Sequence, residues 1–303
     1  MTSPAPSSLA PGATAGLPLA LDASCEHLSC KHRPSLAYYA DSHRAGRPLV
    51  LIHSINAAPS SFEVKPLFEH YRHQRPVFSL DLPGFGQAGR GRADYSPQHY
   101  ANTIKQFLDQ VPEAPVDLLA LSLSSEFAVR ATLEQPHSVH SLVLISPTGF
   151  SQRQPPAPAL SRRIYPLLDG PPWSQPMFDL VASRRSIHYY LNKSFMQQAP
   201  QEMLDYAYAT AHQPGARHAP LSFLSGKLFT PQAMTNLYGR LTNHPALVLA
   251  DRDPYVRFDQ LDDFVASHAN WQRARTVPNM GLPHWEDVTA TTKTLDAFWQ
   301  SLD

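Results

Sequence analysis

From about Tyr39 to Pro147, short apolar runs alternate with longer segments whose apolar residues recur at helical spacing. The runs Pro48–His53, Pro76–Leu82, Pro115–Leu121 and Ser141–Ile145 read as buried strands. Between them, Ser96–Val111 carries Tyr100, Ile104, Phe107 and Val111 at helical spacing, and Ser124–Leu133 reads as another helix. A helix over Ser61–Arg72 can start at Ser60 or Ser61, provided that Pro66 falls in its first turn. Residues from Ser24 to Tyr39 form a lead-in hairpin in this reading. Such alternation is the pattern of βαβ units around a mostly parallel sheet, an α/β fold.

After Pro147 the alternation stops, and proline, aromatic residues and helical spacings (Met203, Tyr206, Ala207; Met234, Leu237, Leu241) continue to about Asn243. Strand pattern returns at Ala246–Ala250, followed by a helix near Gln260–Ala266, a strand near Arg273–Val277 and a helix from Val288 to Leu302. The expected organisation is a flexible tail over residues 1–21, a core made of 22–147 and 243–303, and a helical insertion over 148–242.

The 303 residues and 43% apolar content suffice for one sizeable core. Twenty-five basic residues balance 25 acidic ones, so no net field draws the chain to nucleic acid or an anionic membrane, and a small, fairly neutral molecule is the expected partner. Two cysteines argue against a disulfide framework and suit a reducing compartment. The proline- and serine-rich start lacks the features of a secretory signal, and no apolar stretch spans a bilayer. A cytoplasmic location follows as the default.

The chemistry centres on Ala120-Leu121-Ser122-Leu123-Ser124, which joins the strand to the helix. A nucleophile on a sharp strand-to-helix turn needs small neighbours two residues away on either side, and Ala120 and Ser124 meet that need. The alternative is that Ser122 caps the helix. Leu51–Asn56 resembles the strand-His-Gly loop of the α/β-hydrolase superfamily, with Ser54 where glycine is usual. Asp81–Gly86 resembles its D-x-P-G-x-G turn, and Ala250–Val256 its acid loop, with Asp253 at the acid and Asp251 as a second candidate. The resemblance covers about Pro48 to Asp303. It implies an α/β-hydrolase fold with a helical cap, Ser122 as nucleophile, Asp253 as the acid, and the backbone N–H groups of Ile55 and Leu123 as oxyanion donors. No cofactor or metal is called for.

Gly84–Gly89 also spells G-x-G-x-x-G after a strand, but a loop through Arg90–Pro97 follows where a dinucleotide fold needs a helix. Cys25, His27, Cys30 and His32 crowd together, yet in a continuous strand Cys25 and His27 face away from Cys30 and His32.

The histidine divides the functional reading. The family often writes it as the first residue of H-x-P-x-x-E, and here Pro283 and Glu286 place Gly281 at that position. In one alignment the loop has shifted and His284 serves as base, completing a Ser122–His284–Asp253 set in a serine esterase-like hydrolase that works through an acyl-enzyme. In the gapless alignment the histidine is lost, and the chain is a ligand-binding protein on a hydrolase scaffold. The aromatic residues of the insertion suit an apolar pocket, although most of them are expected in its own core.

Overall fold

The structure is a computed structural model that describes residues 16–29, 34–170, 172–275 and 280–302. Eight strands form one sheet: β1 (Ser24–Leu28), β2 (Leu36–Asp41), β3 (Leu49–Ile52), β4 (Val77–Asp81), β5 (Val116–Leu121), β6 (Val139–Ile145), β7 (Ala246–Leu249) and β8 (Trp271–Ala274). Their order is β1-β2-β4-β3-β5-β6-β7-β8. The lead-in hairpin pairs β1 with β2, and β2 runs antiparallel to β4, while every later pairing is parallel. The last strand lies slightly earlier than the Arg273–Val277 expectation, part of which falls outside the described residues.

Successive residues of a strand face opposite sides, and here both sides are covered, which is why the central strands are apolar at almost every position. Val50, Ile52, Leu118, Ala120, Leu142 and Leu144 pack with residues of helices α2 (Pro97–Gln110) and α3 (Ser124–Glu134). Leu49, Leu51, Leu119, Leu121, Val143 and Ile145 pack on the other face, with α1 (Lys65–Tyr71) and the C-terminal α12 (Val288–Gln300). Pro66 is accommodated at the start of α1, after a 3-10 turn over Ser61–Val64 that Ser60 caps.

Between β6 and β7 the described residues form helices α4 (Pro158–Leu168), α5 (Ser174–Val181), α6 (Arg184–Lys193), α7 (Gln201–Ala211), α8 (His218–Leu224) and α9 (Ala233–Asn236). Two shorter helical elements follow β7: α10 (Leu261–Ser267) and α11 (Pro283–Glu286). Of the tail expected over 1–21, residues 1–15 lie outside the described residues. The remainder corrects the expectation. Ala20 and Leu21 are buried, the Ala20 N–H donates to the Tyr39 hydroxyl, and the carbonyls of Leu17 and Pro18 accept from Gln87, because two apolar side chains and two carbonyls here find partners on the core. No helix among the described residues is long and apolar enough to cross a membrane.

Candidate active site and ligand cavity

The site lies at the carboxyl ends of the parallel strands, where the chain leaves β3 toward β4 but leaves β5 toward β6, so that the two loops diverge. Ser122, directly after β5, has φ +49°, a conformation that costs a non-glycine residue energy and turns the chain sharply into α3. Ala120 and Ser124 on either side are small and fully buried. The Ser122 N–H donates to the Ile145 carbonyl at 2.9 Å, so this backbone group ties the elbow to β6. Leu123, not Ser122, occupies the N-cap position of the helix, and no side chain there makes a capping hydrogen bond.

The loop after β3 is held by Glu63, a buried residue for which sequence reasoning gave no role. Its carboxylate accepts from the Ser54 N–H (2.8 Å), the Ser54 hydroxyl (3.1 Å) and the Asn56 side-chain amide (2.8 Å). Ser54 is not in the left-handed region, so serine serves where the family has glycine. Ser60 and Glu63 spell the S-x-x-E pattern that usually marks a capping box, and this could have drawn attention to Glu63, although its carboxylate turns to the neighbouring loop instead. His53 is fully occupied, with Nδ1–H donating to the Ser54 carbonyl and Nε2 accepting from the Leu82 N–H. Among the described residues, nothing accepts from the N–H groups of Ile55 or Leu123.

The glycines after β4 build a turn around Asp81, which accepts from the Ser61 and Gln87 N–H groups, and a Cβ at Gly86 would fall 2.0 Å from that carboxylate. The next helix starts only at Pro97, so the glycine run has no helix of its own. Cys25 and His27 lie on β1, while Cys30 and His32 fall outside the described residues.

Asp253 follows β7, and its Oδ1 accepts from the N–H groups of Tyr255 (2.7 Å) and Val256 (2.8 Å). Burial raises its carboxyl above the usual value, against the effect of those two donors and of the Ser146 hydroxyl. Oδ2 faces Gly281, where an added Cβ would stand only 2.5 Å away. Ser146, the residue after β6 and itself at φ +48°, donates its hydroxyl to the Gly281 carbonyl at 3.2 Å. Asp251 instead lies near the guanidinium groups of Arg252 and Arg275.

His284 is not brought to this constellation, and the structure corrects that expectation. Its ring is fully buried, with Nε2 2.7 Å from the Glu63 carbonyl, and Nδ1 has no hydrogen-bond partner among the described residues. The reason is the register of the loop: Glu286 accepts from the Met280 N–H at 2.6 Å and Pro283 begins α11. Gly281 is thereby fixed beside Asp253, and His284 is turned into the core, where burial lowers its pKa to about 4.

Ser122, Ile55, Glu63, Ser146, Asp253 and Gly281 line one cavity of about 860 Å³, roofed by residues of α5, α6 and α8. No histidine is among its described lining residues. Of the aromatic residues in the insertion, Phe150, Phe178 and Phe195 are buried, whereas Tyr189 and Tyr190 are exposed and also line the cavity.

The profile of the alpha/beta hydrolase family matches residues 49–292. The chain belongs to this family. It is 31% identical, over 113 residues, to the rat (Rattus norvegicus) 1-acylglycerol-3-phosphate O-acyltransferase ABHD5, a match that takes in 35% of the chain and 31% of the rat protein's length. The enol-lactonase from Burkholderia xenovorans LB400 shares the fold at a TM-score of 0.65 and 14% identity, over 88% of this chain and 97% of the enzyme. The haloalkane dehalogenase DatA from Agrobacterium tumefaciens C58 does so at 0.71 and 15%, over 93% and 98%.

Proposed function

We propose that this member of the α/β-hydrolase family binds a small, largely apolar molecule over Ser122 and has no general base of its own. The observation that carries this reading is the pairing of Asp253 with Gly281, at the place where an imidazole would have to stand, while His284 is committed to the Glu63 carbonyl. A serine without a base is a poor nucleophile at neutral pH. The cavity supports the binding half of the proposal, since about 860 Å³ lies in the range of small-molecule sites and most of its lining is apolar.

The test combines two measurements. The unmodified protein should neither take up a fluorophosphonate probe at Ser122 nor cleave p-nitrophenyl butyrate faster than the Ser122→Ala variant. The inert analogue p-nitrophenyl butyl ether should still raise its melting temperature. Ser122-dependent turnover by the unmodified protein would overturn the proposal.

A second reading, a serine hydrolase, is favoured by the retained elbow. Ser122 keeps a strained backbone, and among the described residues nothing accepts from the Ile55 and Leu123 N–H groups, as an oxyanion site requires.

A further inference from the structure

We infer that the mouth of the cavity is a docking surface for a lipid bilayer that carries anionic headgroups, with α5 and α6 lying against it. The inference goes beyond the reading of Ser122 and stands whether or not that residue has a base.

Exposed apolar surface is the first observation. Among the described residues, eight of the ten large apolar side chains that are exposed belong to the insertion between β6 and β7. Leu180, Tyr189, Tyr190, Leu224 and Tyr255 are exposed and also line the cavity, which gathers them around its mouth. Helix α5 is apolar on two sides. It buries Phe178 on one, while Trp173 at its N-cap, Pro176 and Leu180 share another at helical spacing and face solvent, Leu180 at 73% exposure. A contiguous apolar stripe on the outside of a domain marks a contact surface.

Charge selects what covers it. Although the whole chain is neutral, α5 and α6 carry Arg184, Arg185 and Lys193 against one acid, Asp179, which is held by the Gln175 amide. Arg185, Tyr189 and Lys193 stand four residues apart and so form one stripe along α6. Arg185 lines the cavity, and its guanidinium has no ion-pair or hydrogen-bond partner among the described residues. Lys193 Nζ lies 4.1 Å from the centroid of the Tyr189 ring and donates to its hydroxyl at 2.6 Å. Tyrosine and tryptophan, apolar in the body and polar at the tip, favour the headgroup level of a bilayer, and basic side chains beside them favour anionic lipid. A second copy seated on this face through a twofold axis would instead set the same cations against each other. A bilayer here would also let an apolar molecule pass into the cavity without crossing water.

Vesicle flotation tests the inference. The unmodified protein should float with vesicles of seven parts phosphatidylcholine to three parts phosphatidylserine, and should bind pure phosphatidylcholine at least about tenfold more weakly. Leu180→Asp should lower binding to the mixed vesicles at least about tenfold, as the loss of one inserted leucine side chain implies. Lys193→Gln should lower it roughly fivefold, the contribution of one basic residue close to an anionic surface. Leu19→Asp alters an exposed leucine that does not line the cavity, and this variant should bind as the unmodified protein does.

Failure to float with the mixed vesicles overturns the inference, as does equal binding to both compositions or an equal loss in Leu180→Asp and Leu19→Asp. A dimer in sedimentation equilibrium that Leu180→Asp dissociates, together with no flotation, would assign the face to a second copy instead. If Leu180→Asp does not fold, Lys193→Gln and the two lipid compositions decide. None of these readouts involves turnover or labelling at Ser122, so failure here leaves the base-free reading standing.

Discussion

The Nε2–H of His284 is donated to the main-chain carbonyl of Glu63 at 2.7 Å, and the same oxygen accepts from the Trp285 indole at 2.7 Å. A carbonyl can only accept, so the ring is held in the tautomer with the proton on Nε2. Glu63 thus links two loops. Its carbonyl holds the segment after Gly281, and its carboxylate holds Ser54 and Asn56 after β3.

Acidification should expose the cost of that arrangement. His284 titrates near 4 in the folded protein against 6.5 in the unfolded chain, so as pH falls from 6.5 the unfolded chain takes up a proton that the folded protein refuses. Stability contributed by the neutral ring is therefore present above 6.5 and lost toward 4, by roughly 3 kcal/mol. Urea unfolding of the unmodified protein and His284→Gln should show their stability gap closing by that order across this window. A gap independent of pH would contradict it.

Gly281→His should restore reactivity at Ser122. Gly281 does not have a left-handed backbone, so the obstacle is the Asp253 carboxylate 2.5 Å from the new Cβ. The short side chain must rotate aside, at a cost of about 1–3 kcal/mol as for other overpacked sites. The expected outcome is a lower urea midpoint together with fluorophosphonate labelling raised by about 100-fold, the scale of a positioned general base. The gain should disappear in the double variant that also carries Ser122→Ala.

Ser122 should also betray its backbone strain. Glycine adopts φ +49° without the cost that a β-carbon carries there, so Ser122→Gly should be more stable than Ser122→Ala by about 1 kcal/mol. Thermal melting of the two variants checks this, and equal or reversed stabilities would argue against a strained elbow.

Glu126 is expected to give a pH dependence of opposite sign to that of His284. Burial pushes its carboxyl up to about 7, against the hydrogen bonds from the Thr148 hydroxyl and the Thr230 N–H. Below 4.5 both folded and unfolded states hold the proton. As pH rises to about 7 the unfolded chain releases it first, so stability falls by roughly 3 kcal/mol across that window. Glu126→Gln cannot ionise, and the stability gap between it and the unmodified protein should narrow from pH 4.5 to 7 in urea titrations.

Much of this was legible in the sequence because it rests on local pattern. The continuous apolar runs become strands covered on both faces, the helical segment read from Ser96 becomes α2 with Ser96 as its cap, and Ala120 and Ser124 mark the tight turn around Ser122. Pro283 and Glu286 also carried the answer for the histidine position, since Glu286 bonds to the Met280 N–H and fixes the loop in the gapless register. Spacing alone could not choose between the two alignments, because the choice depends on which of Gly281 and His284 meets Asp253 across the sheet. Glu63 stayed hidden for a similar reason. Its partners lie nine and seven residues back along the chain, across a turn that local periodicity does not register.

The chain at Leu17 and Pro18 stitches the helical insertion to the core. Gln87 of the core holds the Leu17 and Pro18 carbonyls, and the Tyr206 hydroxyl of α7 donates to the same Pro18 carbonyl. One peptide oxygen therefore joins α7 of the insertion to the core, and moving α7 away from the sheet would have to break these hydrogen bonds. At the rim, Leu180, Tyr189, Tyr190, Leu224 and Tyr255 are at once exposed and part of the cavity wall, so an apolar face meets solvent where the cavity opens.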